Sequence, residues 1–198
     1  MTDALIVIDI QNDFCPGGAL AVPDGDQVIG RVNAMMSESG SVILTQDWHP
    51  EEHLSFASNH PGAAAYDMTE MPYGPQVLWP DHCIIGTPGA EFHPDLRTDR
   101  ADLIIRKGFQ AQIDSYSAFL ENDHKTPTGL HGYLQTRGLK KLTIVGLAFD
   151  FCVLYSALDA VTLGYEVTVI EGACRSIDLD GSREAALTGL RKSGVTLA

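Results

Sequence analysis

The stretch Leu142-Thr143-Ile144-Val145-Gly146-Leu147-Ala148-Phe149-Asp150-Phe151-Cys152-Val153-Leu154-Tyr155-Ser156-Ala157-Leu158-Asp159-Ala160-Val161-Thr162-Leu163-Gly164 decides the fold. Its first six residues, apolar but for Thr143, are a run of strand length rich in β-branched side chains. A short turn follows, and then Val153, Leu154, Ala157, Leu158 and Val161 recur at helical spacing. Asp150 is placed to cap a helix over residues 152–163, and Gly164 is placed to stop it. A second apolar run, residues 166–170, comes directly after. Strand, helix and strand in this order make a parallel βαβ unit.

The same alternation extends outward. Residues 4–8, 41–45 and 102–106 read as buried strands, and residues 195–197 as a short one at the end. Residues 26–36 put Val28, Ile29, Val32 and Met36 near one helical face. Residues 129–137 read as a helix stopped by Gly138, and residues 182–192 as another with Gly194 after it. Strands that are apolar throughout belong to a parallel sheet covered on both faces, so the fold class is α/β. The 198 residues suit one domain spanning 1–198. Residues 48–99 are rich in Pro, Gly and His with little periodicity, as functional insertions commonly are.

Charge narrows the function classes. Thirteen Lys and Arg face 26 Asp and Glu, a net charge of −13, and the basic residues are scattered. A nucleic-acid binder needs a basic patch, so neither nucleic acid nor an anionic membrane is expected as a partner. No apolar run approaches the roughly 20 residues of a membrane span. No signal-peptide pattern is evident either, which makes the cytoplasm the expected location. Cys15, Cys83, Cys152 and Cys174 have no paired spacing and read as reduced thiols.

In an open α/β sheet, ligands bind beyond the carboxyl ends of the strands. Asp9 follows the first strand, Asp47, His49 and His53 the second, Lys107 the third, and Ala148, Asp150 and Cys152 the fourth. Asp9 alone could be a turn residue; in a dry site it would be a general base with a raised pKa. Cys152 at a helix N-terminus would be a nucleophile whose thiolate the free N–H groups stabilise. Lys107 would pair with Asp9 and balance the thiolate. Asp47-Trp48-His49-Pro50-Glu51-Glu52-His53, with His82 further on, offers carboxylate and imidazole donors suited to zinc, iron or manganese. His60, His93, His124 and His131 read as incidental loop histidines.

Taken together, these segments resemble the nicotinamidase (pyrazinamidase) branch of the isochorismatase-like cysteine hydrolases. The resemblance is carried by Ile8-Asp9-Ile10-Gln11-Asn12-Asp13-Phe14-Cys15-Pro16-Gly17-Gly18, Gln46-Asp47-Trp48-His49 with His53, and Trp79-Pro80-Asp81-His82-Cys83. Gly86-Thr87-Pro88-Gly89-Ala90 with Phe92-His93-Pro94, Lys107-Gly108, Asp114-Ser115-Tyr116-Ser117-Ala118-Phe119, and Gly146-Leu147-Ala148 through Cys152 complete it. It implies a three-layer fold with a six-stranded, mostly parallel sheet flanked by helices. It implies hydrolysis of nicotinamide to nicotinate and ammonia, with pyrazinamide as a second substrate, in NAD salvage. Asp9, Lys107 and Cys152 would be the triad, and the N–H groups of Ala148 and Cys152 the oxyanion hole, next to a cis Leu147–Ala148 peptide. Phe14, Trp79 and Tyr116 would enclose the ring. Asp47, His49, His53 and His82 would hold one divalent transition metal ion per chain, zinc first and iron or manganese as alternatives. The resemblance attaches no role to Phe151, and a homo-oligomer is compatible with it.

Two rival readings stand beside this one. A related cysteine hydrolase acting on a carbamoyl or ureido compound would have no need of the imidazoles. A flavodoxin-like binding module would have no reason to bring thiol, amine and carboxylate to three strand ends.

Overall fold

The structure is a computed structural model, and it describes residues 3–198. In chain order the strands are β1 (Ala4–Ile8), β2 (Val42–Asp47), β3 (Met68–Met71), β4 (Gly74–Val77), β5 (Leu103–Lys107), β6 (Lys141–Leu147), β7 (Glu166–Arg175) and β8 (Thr196–Leu197). The α-helices are α1 (Ile29–Glu38), α2 (Leu130–Thr136), α3 (Leu154–Thr162) and α4 (Ser182–Lys192). Six strands form one sheet in the order β5-β2-β1-β6-β7-β8, and every pairing in it is parallel. β3 and β4 form a separate antiparallel hairpin inside the insertion.

Alternation along β1 builds the three layers. Ala4, Ile6 and Ile8 face a core closed by Leu130 and Leu134 of α2, Ala157 and Ala160 of α3, and Leu187 and Leu190 of α4. Leu5 and Val7 face the opposite core, closed by Ile29, Val32 and Met36 of α1. All five β1 residues are buried. Each large aliphatic side chain among them contributes roughly 1.5–3 kcal/mol relative to exposure.

Three expectations need correction. The helix over residues 152–163 begins only at Leu154, after a π-helical turn over Phe149–Val153 that contains Cys152. Asp150 does not cap it; its carboxylate accepts from Ile177 N (3.0 Å), Asp178 N (2.7 Å) and Ser182 Oγ (2.5 Å). β7 runs on to Arg175 through a register shift against β6 between Ile144 and Gly146. Gly146 itself has no alternative, because a Cβ there would lie 2.1 Å from Ile8 O and its φ is +117°.

Candidate active site and metal-ligand cluster

The carboxyl ends of β5, β2, β1 and β6 lie side by side, and each delivers one group to a common centre. The β2–β5 register sets Asp47 directly opposite Lys107. Lys107 Nζ reaches Asp47 Oδ1 at 2.5 Å, Asp9 Oδ2 at 2.9 Å and Cys152 Sγ at 3.5 Å, and it donates to Ser115 O at 2.9 Å. Lys107 and Asp9 are fully buried, and Asp47 and Cys152 nearly so. Thr45 Oγ1 donates to Asp9 Oδ1 at 2.6 Å, while Asp9 Oδ2 has no well-directed hydrogen-bond donor despite its ion pair with Lys107. Asp9 adopts a left-handed φ of +46°, which Asp tolerates better than most residues. Gln11, fully buried, grips the end of β2: its Nε2 donates to Asp47 O and its Oε1 accepts from Asp47 N.

One cation facing two buried carboxyls separates their proton affinities. Burial pushes the Asp9 carboxyl up, and that cause outweighs the pull of Lys107. Burial also acts upward on Asp47, but Lys107 and then His49 overcome it and hold Asp47 well below the usual carboxylate range. Burial leads at Cys152 too and pushes the thiol up, with Lys107 opposing and the charges of Asp9 and Asp47 adding to the rise. The sequence-based expectation of a helix-stabilised thiolate therefore needs correction. Burial favours the thiol form, and Cys152 stands on a π-helical turn instead of an α-helix N-terminus. Two carboxyls whose proton affinities are pushed apart in this way are suited to different parts in acid–base chemistry.

Beside this centre stand three imidazoles. His49 Nδ1 is bonded to Gly108 O (2.8 Å), His53 Nδ1 to Ser55 Oγ (2.7 Å) and His82 Nδ1 to Pro80 O (2.7 Å). Outer bonds of this kind fix ring orientation and tautomer in metal sites. His49 Nε2 and His82 Nε2 lie 3.6 Å and 3.9 Å from Asp47 Oδ2, and donor atoms of Asp47, His49 and His82 all fall within 4.8 Å of one another. His53 falls instead in a group with His49 and Asp114, and its Nε2 faces Ile113 O at 3.3 Å. The expected four-residue set therefore does not close into one cluster, because the ring of His53 is committed to Ser55 on one side and a backbone carbonyl on the other. His60 Nε2 is likewise bonded to Leu54 O, outside the cluster.

Burial, followed by the charge of His49, pushes His53 and His82 down to about 4. At His49 burial acts downward, but Asp47 outweighs it and the ring is raised. His82 is therefore held neutral, the form in which histidine binds a metal, and His49 is buried and oriented beside the Asp47 carboxylate. The donor set thus fits a divalent transition ion. Gly108 makes the cluster sterically feasible: its φ is +67°, and a Cβ would sit 2.3 Å from His49 Cε1. On the far side, Asp13 Oδ2 accepts from Cys83 N (2.7 Å) and anchors the segment carrying His82.

A pocket opens over Cys152 and Ala148, walled by Phe14, Trp79, Tyr116 and Phe151, with His82 and Asp47 at one end. Trp79 and Phe151 meet edge-on at 4.9 Å, and Phe14 lies 5.5 Å from His82. The Leu147–Ala148 peptide is cis. Phe151, given no role from sequence, is part of the wall, as are Leu20, Asp114 and Ile177. Its apolar neighbourhood next to Cys152 was the one signal that could have found it.

Comparison with known proteins bears on the fold and the family. The family model for the isochorismatase domain matches residues 3–198. A nicotinamidase of Acinetobacter baylyi is 53% identical over 192 residues, covering 97% of this chain and 90% of its own. A solved nicotinamidase/pyrazinamidase of Acinetobacter baumanii superposes with a TM-score of 0.97 at 56% identity, over 98% of this chain and 94% of its own. A yeast nicotinamidase solved with the inhibitor nicotinaldehyde superposes with a TM-score of 0.92 at 30% identity, over 98% of each chain. The chain belongs to the isochorismatase family.

Proposed function

We propose that this chain is an amidase that hydrolyses nicotinamide to nicotinate and ammonia through a thioester on Cys152. The observation that carries the reading is the buried contact of Asp9, Lys107 and Cys152 at the floor of an aromatic pocket whose end wall is an imidazole–carboxylate cluster. The nicotinamidase relatives named above support the same substrate class.

The chemistry follows from the protonation states. Asp9 takes the Cys152 proton as Sγ attacks the carbonyl carbon, so the thiolate exists only as the S–C bond forms. Backbone N–H groups of Ala148 and Cys152 receive the oxyanion; a single such donor is worth about 3–4 kcal/mol in comparable sites. The C–N bond breaks as Asp9 returns the proton to the departing ammonia. Water then adds to the thioester and gives a proton to Asp9, which passes it to Sγ as nicotinate leaves. Lys107 stays positive between Asp9 and Asp47, and because the proton only moves among Asp9, Sγ and the reacting groups, the buried charge of the centre stays constant while Asp9 changes state.

Asp47, His49 and His82 would hold one divalent transition ion, zinc by its preference for such donors. When bound, that ion supplies a coordination position for a ring nitrogen. Phe14, Trp79, Tyr116 and Phe151 hold the ring plane and exclude water. Pyrazinamide offers the same amide beside a ring nitrogen and falls within the substrate range. A carbamoyl or ureido substrate would leave the imidazole cluster without a partner.

The test is ammonia release from nicotinamide, benzamide and a ureido compound by metal-replete enzyme. Nicotinamide should turn over, and benzamide, lacking the nitrogen, should have a kcat/KM lower by about 10–100-fold. Preferential release from the ureido compound would overturn the assignment.

A further inference from the structure

We infer that Gln76, on the β3–β4 hairpin, is a positioning residue that sets the pocket wall through Tyr116; this rests on the function proposed above. Among the residues of these two strands Gln76 alone is buried, and Met68 is 61% exposed. Apart from Val77, which packs against the core on the α1 side of the sheet, the hairpin has little apolar attachment, and Gln76 supplies its buried polar contacts.

Those contacts are numerous and lead to the site. Gln76 Nε2 lies 2.7 Å from Asp114 Oδ2, 2.9 Å from Tyr116 Oη and 2.8 Å from Val77 O. Its Oε1 accepts from Asn122 Nδ2 and Tyr73 Oη, both at 3.2 Å. Asn122 Oδ1 in turn accepts from Tyr116 N at 3.0 Å. Tyr116 Oη also accepts from Trp79 Nε1 at 3.0 Å. Gln76 thus ties two wall residues to Asp114, which lies against His49 and His53. A buried amide is costly unless satisfied; here Asp114, Tyr116 and Val77 O satisfy the Nε2 end, and Asn122 and Tyr73 satisfy the Oε1 end.

A positioning role acts on how substrate sits more than on the bond-breaking step, so it separates KM from kcat. Gln76→Ala should raise KM for nicotinamide about tenfold and lower kcat less than about threefold, with metal content unchanged. Gln76→Glu would set a second carboxyl against Asp114 and should be worse. If Gln76→Ala does not fold, Gln76→Asn, one methylene shorter, provides the same reading.

The decisive arm is a double-mutant cycle with Tyr116→Phe. The KM effect of Gln76→Ala should disappear in that background, because the shared hydrogen bond is already gone. An unchanged KM in the single variant, or fully additive effects in the pair, would overturn the inference. Failure of the wild type to hydrolyse nicotinamide would instead overturn the functional reading. The cycle is then read on Trp79 emission in a Trp48→Phe background, since Trp48 and Trp79 are the two tryptophans. Coupling between Gln76 and Tyr116 should persist there, and additivity would again contradict it.

Discussion

The floor of the pocket and its walls are built by different means. Asp9 and Lys107 stand at the carboxyl ends of β1 and β5, whose spacing the parallel register across β2 fixes, and Cys152 stands on the π-helical turn directly after β6. Tyr116, Trp79 and the imidazoles come from long connections and are held by side-chain hydrogen bonds between loops. The floor residues are buried at the carboxyl edge of the sheet. Buried charge on this scale is expensive in stability, several kcal/mol per ion before pairing, so its retention points to chemistry.

Breaking the floor should have the largest effect. Cys152→Ala should lower kcat/KM by at least about 10³-fold while the thermal midpoint and metal content stay near wild type. One tenth of wild-type activity in that variant would contradict the covalent route. A break at the join between floor and wall should come next. Gly108→Ala forces a methyl against the His49 ring at a left-handed φ. Metal affinity, followed by titration of metal-depleted protein, should weaken about 10–100-fold, with kcat/KM falling alongside.

The sharpest test of the layer behind the floor is a stability measurement. Glu121 is buried, its Oε2 has no hydrogen-bond partner among the described residues, and burial pushes its carboxyl up to about 7. The folded state therefore holds a proton that the unfolded state has already lost between pH 4.5 and 7. Stability from this group falls as pH rises through that window and is level above it. Glu121→Gln should remove that slope, leaving the variant more stable than wild type by about 1–3 kcal/mol at pH 8. Parallel curves for the two proteins in denaturant titrations from pH 5 to 8 would contradict this.

The floor was legible in the sequence and much of the wall was not. Five apolar residues before Asp9, and the runs before Lys107 and Ala148, announce strand ends because doubly covered parallel strands read as unbroken apolar runs. Where local signals compete with distant partners, the reading slipped. Asp150 has the position of a helix cap, but its acceptors are used by a loop 27 to 32 residues away. His53 has the spacing of a ligand, yet spacing does not tell that its two nitrogens face Ser55 and Ile113. Gln76 lies in a Pro- and Gly-rich stretch with no periodicity, and its burial depends on residues about 40 positions away. Only the closed fold reveals it.

The covalent thioester is the central claim, and partitioning with hydroxylamine tests it most directly. Nicotinamide and methyl nicotinate would acylate Cys152 to the same intermediate, which water or hydroxylamine then cleaves. The ratio of nicotinohydroxamate to nicotinate, measured across a range of hydroxylamine concentrations, should be identical for the two substrates. Ratios that depend on the leaving group, or nicotinate formed from nicotinamide with no hydroxamate at any concentration, would contradict a shared acyl-enzyme on Cys152.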